Sequence, residues 1–167
     1  MRELWPRTAS EAAAWNGVVI ADLGRLQPGH PALPLVQAAA VVVVLARPSV
    51  EGLYRLRHRV AELEHLFAGA AHAETPGLAV AVLAARGRRR AAVDQTRRVL
   101  GAAGLAAGVA GAVTADPGGV AAVYSSRRGR RLTRSSLLTS TAELAQALVG
   151  DWPRLAVAQP STQGVVA

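Results

Sequence analysis

The chain has 167 residues, 51% of them apolar, which suits one domain with a sizeable core and excludes general disorder. It has no cysteine, so disulfides, thiolate chemistry and Cys-ligated zinc are excluded. All 19 basic residues are arginine, which excludes lysine-dependent mechanisms, and with 11 acidic residues they leave a formal charge of +8.

The start, "MRELWPRTASEAAAW", is polar and carries both charge signs, so it lacks the apolar stretch of a signal peptide. Residues 9–15 read as a short helix with Ser10 as its N-cap. Residues 17–23, "GVVIADL", read as a buried strand ending at Asp22, and 24–34 as a Gly/Pro loop. A short helix over 34–40 leads into "VVVVLA", 41–46, an uninterrupted and largely β-branched strand. Arg47-Pro48-Ser49 is a turn, and Ser49 caps a helix over 50–67 with Val50, Leu53, Val60, Leu63 and Phe67 at helical spacing. Glu51 and Arg55 are placed for an i,i+4 ion pair on that helix. A third strand is expected over 76–85, a helix over 90–100 ended by Gly101, and a fourth strand over 108–117. A last helix covers 136–149. Residues 1–150 read as a single domain and 151–167 as a C-terminal tail.

Two uncharged stretches, 26–46 and 99–115, invite comparison with membrane spans. The first is broken by Pro28, Pro31 and Pro34, and the second is short and rich in Gly and Ala, so strands with flanking turns are the better reading. A cytoplasmic protein is expected.

Apolar strands separated by helices imply an α/β fold: a three-layer sandwich with a mainly parallel sheet covered on both faces. Ligands of such sheets bind beyond the carboxyl ends of the strands. Asp22, Arg47, Arg86 and Asp116 lie at or just after expected strand ends, so the strand pattern alone gathers them on one edge.

The order "VVIADLG", a Pro-containing loop, "AAAVVVVLARPSVEGLYRLRHRV" and "LGAAGLAAGVAGAVTADP" resembles the later part of the ParA/MinD family of P-loop ATPases. The resemblance covers about residues 9–150 and implies a partial P-loop NTPase, Rossmann-like fold. It implies that Asp22 is the Walker B aspartate holding Mg²⁺ through water, that Gly24 offers its N–H to the γ-phosphate, and that Asp116 and Pro117 lie near the base. The family's glycine-rich phosphate loop and its lysine are missing from the 21 residues before Asp22, and "LAARGRRR" replaces the usual Asn after the third strand. The expectation is a P-loop-less ParA/MinD-like protein that acts by binding in a partitioning or cell-organisation system, with no ATP hydrolysis by the isolated chain. The alternatives are an ATPase half that gains ATP and Mg²⁺ when another chain completes it, and a basic module that associates with DNA.

In the resembled fold the phosphate-loop strand lies between the strand ending at Asp22 and "VVVVLA". Direct closure of that gap is expected, with 18–22 bonded to 41–45 in a four-stranded core of 17–23, 41–46, 78–84 and 108–114. A strand supplied by a protein partner, or self-association through the open edge, is the alternative.

"RGRRR", 86–90, and "RRGRRLTR", 127–134, are the strongest charge signals. Arg88, Arg89, Arg90, Arg127, Arg128, Arg130 and Arg131 are the candidate nucleic-acid contacts, through phosphate charge and bidentate geometry. The competing reading is a pair of solvated loops, and the absence of interleaved aromatics argues against stacking on single strands. A strand-terminal Asp22 is equally a turn former. His58, His65 and His72 recur every seven residues, about 10 Å apart on a helix, too far to share a metal. No G-x-S-x-G is present, so a serine-hydrolase reading fails.

Overall fold

A computed structural model of the protein describes residues 4–27, 29–69, 75–124 and 130–151. The elements in chain order are α1 (Leu4–Ala14), α2 (Leu33–Ala38), β1 (Val41–Ala46), α3 (Val50–Ala68), β2 (Gly77–Ala84), α4 (Arg89–Ala102), β3 (Gly108–Thr114), α5 (Pro117–Tyr124), α6 (Arg130–Thr133) and α7 (Ser136–Asp151). The three strands form one parallel sheet in the order β1-β2-β3. Helices cover both sides, so the architecture is α/β and consistent with a Rossmann-like fold. No helix among the described residues is long and apolar enough to cross a membrane.

The middle strand explains its own composition. Ala79, Val80, Ala81 and Val82 are all buried, because β2 has neighbours on both edges and cover on both faces. On one face, Leu53, Leu56 and Val60 of α3 and Ala92 and Leu100 of α4 pack with Val80, Val82, Ala84, Val109 and Ala112. On the other face, a Cβ at Gly111 would lie 3.7 Å from Leu144 of α7. A second cluster, Val36 with Leu63 and Phe67, closes over the amino-terminal half of β1 and β2.

α3 is the clearest product of its sequence. Its buried residues Leu53, Leu56, Val60, Leu63 and Phe67 step by three and four, and the Ser49 Oγ accepts a hydrogen bond from the Gly52 N–H at 3.1 Å. The Glu51–Arg55 pair forms on its exposed side. His58 and His65 are exposed on the same helix, whereas His72 lies outside the described residues. Near its end, Glu64 Oε1 accepts from both Ala106 N–H (2.8 Å) and Ala107 N–H (2.9 Å), which ties the approach to β3 onto α3.

Four expectations need correction. Residues 17–23 form no strand, and the sheet has three strands rather than four. Val18, Val19 and Ile20 are 59%, 51% and 90% exposed, and no backbone hydrogen bond joins 18–22 to 41–45. The reason is one-sided cover. Val43 and Leu45 are exposed on the face of β1 away from α3, so a strand apolar on both faces, as 17–23 is, would leave half its apolar side chains in water there, whereas a strand polar on its outer face would not. The segment instead buries Leu23 and Leu26 against the second cluster. Secondly, Ser10 is not a cap. α1 starts earlier, and Ser10 Oγ donates to the Pro6 carbonyl within the helix. Thirdly, α4 continues through Gly101, and the left-handed residue beyond it is Gly104 at φ +68°. Fourthly, the chain after Asp116 is a helix, α5, rather than only a turn.

The two sheet edges differ. The outer edge of β3 is occupied by side chains: Arg97 donates to the Val109 carbonyl (3.3 Å), Arg89 to the Ala112 carbonyl (2.9 Å), and Thr114 N–H donates to Ser140 Oγ (2.9 Å). On β1, Gly77 N–H donates to Ala40 O, so the alternation of a parallel ladder turns residues 42, 44 and 46 toward β2. Val41, Val43 and Leu45 therefore present their N–H and C=O groups outward, and no group among the described residues meets them.

Candidate functional site

The strand topology brings three of the four expected residues to the carboxyl edge of the sheet. Arg47 follows β1, Arg86 follows β2 and Asp116 follows β3. Arg47, Pro48, Ser49, Leu83, Ala85, Ala115 and Pro117 line a shallow, open cleft of about 490 Å³ across this edge. Beside it, between the start of α4 and the start of α7, Arg86, Gly87, Arg89, Thr114, Arg134, Ser136 and Thr139 line a smaller recess of about 290 Å³.

Asp22 stands elsewhere. With no strand to end, it sits on an exposed turn where its Oδ1 accepts the Gly24 N–H at 2.9 Å and Gly24 takes φ +58°. This is the local turn chemistry of aspartate. The Gly24 N–H is committed to that bond. Among the described residues no group of three or more His, Cys, Asp or Glu side chains is placed to hold a metal ion. A Mg²⁺ held by Asp22 through water would therefore need its other ligands from outside the described residues.

Asp116 is tied into the fold on both oxygens. Oδ1 accepts the Gly119 N–H at 2.8 Å, which caps α5, with Pro117 at its first position. Oδ2 accepts the Ser136 hydroxyl at 3.0 Å and the Leu137 N–H at 3.4 Å, which fastens the first turn of α7 to the end of β3. The Gly119 N–H, and then the Ser136 hydroxyl, hold its carboxyl below the ordinary 3.8, against a smaller opposing effect of burial. A lowered folded-state pKa gives stability that is fully present above the unfolded value and is lost as pH falls through the folded one. Asp116→Asn keeps one acceptor oxygen, so it cannot receive the Gly119 donor of α5 and the two α7 donors together. The variant is expected to be less stable than wild type at neutral pH, with the gap closing only below about pH 4. Urea unfolding at neutral and acid pH checks this; a gap independent of pH across that range would show that the ionised carboxylate contributes nothing.

The arginine run divides by role. Arg88 and Arg90 are exposed, whereas Arg89 is half-buried, donating to the Ala112 carbonyl and pairing with Glu143. Arg89 is thus first a brace between α4, β3 and α7. Arg127 and Arg128, and the side chains of Arg130 and Arg131, lie outside the described residues. The recess also includes Thr114 and Arg134, which motif reading does not single out. The only sequence signals for them are a lone polar residue closing the apolar run "GVAGAVT" and the last arginine of "RRGRRLTR".

No protein-family model, no curated protein and no solved structure matches this chain.

Proposed function

We propose that the chain is a P-loop-less, ParA/MinD-like binding protein of a partitioning or cell-organisation system, and that a strand of another polypeptide extends its sheet at β1. The open β1 edge carries the reading. Six apolar residues, Val41–Ala46, form this strand with no charge, proline or bulge, the devices by which natural proteins blunt an edge. Leu45, 61% exposed, and Val43, 39% exposed, add apolar surface that an incoming strand would cover. The opposite edge is already filled by Arg97, Arg89 and Ser140. Strand addition uses main-chain hydrogen bonds for affinity and alternate side chains for selectivity. The family likeness rests on the order of the sequence motifs alone, and the strand expected to end at Asp22 does not form. Asp116 is committed to capping and Asp22 to a turn, which supports binding rather than hydrolysis. An ATPase half completed in trans remains the variant of this reading in which the added strand brings the phosphate loop.

Val43→Pro is the test. It deletes an outward N–H and leaves the groups facing β2 intact, a sheet position where proline is tolerated. Without its partner, the wild-type chain is expected to self-associate with rising concentration in sedimentation velocity. The variant is expected to stay monomeric with an unchanged far-UV circular dichroism spectrum. Equal association of the two proteins would show that β1 is not the contact, and a wild type that stays monomeric at millimolar concentration would remove the open edge as a binding surface.

A further inference from the structure

The recess between α4 and α7 has the chemistry of an oxyanion site. Arg86 and Arg134 are exposed, and neither makes a hydrogen bond or ion pair among the described residues. Arg89 is held in place by Nε on the Ala112 carbonyl and one terminal nitrogen on Glu143. A guanidinium carries five N–H donors, so Arg89 retains donors beyond those two contacts. No carboxylate lines the recess.

Thr114 is the second, independent sign. The residue is 2% exposed and lines the recess, yet its hydroxyl has no hydrogen-bond partner, while its backbone N–H is taken by Ser140. No fully buried side-chain oxygen or nitrogen lacks a partner among the described residues, so the Thr114 hydroxyl is reached by solvent, and the side on which the residue is open is the recess. The neighbouring hydroxyls are spent: Ser136 donates to Asp116, and Thr139 donates to the Ser135 carbonyl. Gly87, at φ +82°, brings its backbone to the recess without a Cβ.

We propose that this recess binds the phosphate group of a small, polar phosphate ester, with Arg86, Arg89 and Arg134 around the oxygens and the Thr114 hydroxyl donating from the wall. Three guanidinium groups suit a tetrahedral dianion better than a single carboxylate. The volume of about 290 Å³ exceeds one phosphate and leaves room for a compact body. Aromatic and large aliphatic side chains are absent from the lining, so the body is polar, of the sugar or hydroxy-acid kind, and not a stacked base. The recess is concave rather than a track along the surface, which favours a small ligand over a nucleic-acid backbone. This inference is independent of the β1 edge.

The test uses the full chain at low ionic strength, titrated with inorganic phosphate and with glycerol phosphate and followed by amide NMR shifts. Saturable shifts are expected at Gly87, Arg89 and Thr114. Arg86→Ala/Arg134→Ala is expected to weaken binding by about tenfold or more, the loss of strong charge-assisted hydrogen bonds. Thr114→Val, which preserves shape, should weaken it several-fold, and Arg57→Ala on α3 should leave it unchanged. Absence of saturable binding to either probe, or binding unaffected by the double substitution, overturns the proposal. So does short duplex DNA that binds through Arg86 and Arg134 while the small esters do not, since the site would then read a nucleic-acid backbone.

Discussion

Leu56→Ala is expected to remove about 3–5 kcal/mol of folding stability, the upper part of the range for buried leucine truncation. Leu56 is 2% exposed in the centre of α3, facing a sheet built largely of small residues. Ala84, Ala92 and Ala112 stand in its cluster, with Val80, Val82 and Val109 between them. Alanine has no side-chain torsion and β-branched valine is stiff, so these neighbours cannot swing into the space a lost isobutyl group leaves. The cavity therefore persists, and the cost rises with its residual volume. Against a total of about 5–15 kcal/mol for a domain, this one substitution brings the chain close to unfolding. Leu45→Ala on the open face is the comparison and should change stability by no more than about 0.5 kcal/mol, as for an exposed position. Urea unfolding with linear extrapolation measures both. A loss at Leu56 below about 1 kcal/mol would mean that the alanine-rich sheet collapses onto the gap, and that α3 is not the element that fills the core.

The contrast between α3 and residues 17–23 shows which parts of this fold are legible in one sequence. Helical spacing, a Ser49 cap and a preceding Arg-Pro turn are local features, and they place α3 to within a residue of its observed ends. The runs at 41–46, 77–84 and 108–114 are strands because each finds a parallel neighbour. "GVVIADL" has the same local character but leaves the open edge of β1 unpaired, and which faces of that edge are covered is a property of the whole sheet. Once that strand is removed, Asp22 leaves the carboxyl edge, while Arg47, Arg86 and Asp116 keep their places because their strands are real. α5 was hidden for a different reason. Pro117, Gly118 and Gly119 read as a turn, and it is the Asp116 carboxylate, shared between α5 and α7, that stabilises a helix there. The recess was hidden as a unit because Arg86, Thr114 and Arg134 come from three separate segments that only the topology joins.

Gly52→Ala is expected to destabilise the protein by about 1–3 kcal/mol, the cost of forcing an extra methyl into a filled space. Helix propensity alone argues the opposite, since alanine is favoured over glycine by about 1 kcal/mol within a helix. Gly52 lies in the first turn of α3, and its N–H is the donor to Ser49 Oγ. A Cβ there would fall 2.2 Å from the Arg47 carbonyl oxygen, 3.1 Å from its carbon and 3.0 Å from Ser49 Oγ. The oxygen cannot retreat easily. It belongs to the residue after β1, whose last pair, Ala46 with Val82, is part of the sheet ladder, and the next residue is Pro48 with its fixed φ. Relief must come from α3 tilting away from the sheet, which draws Leu53 and Leu56 out of the core, or from fraying the end of β1. Gly101→Ala supplies the control within the same chain. Gly101 is also helical, nothing lies within 4 Å of its Cβ position, and there the propensity gain of up to about 1 kcal/mol should appear as added stability. Urea unfolding of the two variants should thus give opposite signs for the same chemical change. A Gly52→Ala protein as stable as wild type would mean that the turn from β1 into α3 yields without disturbing the helix, and that close backbone approach is not what selects glycine at this position.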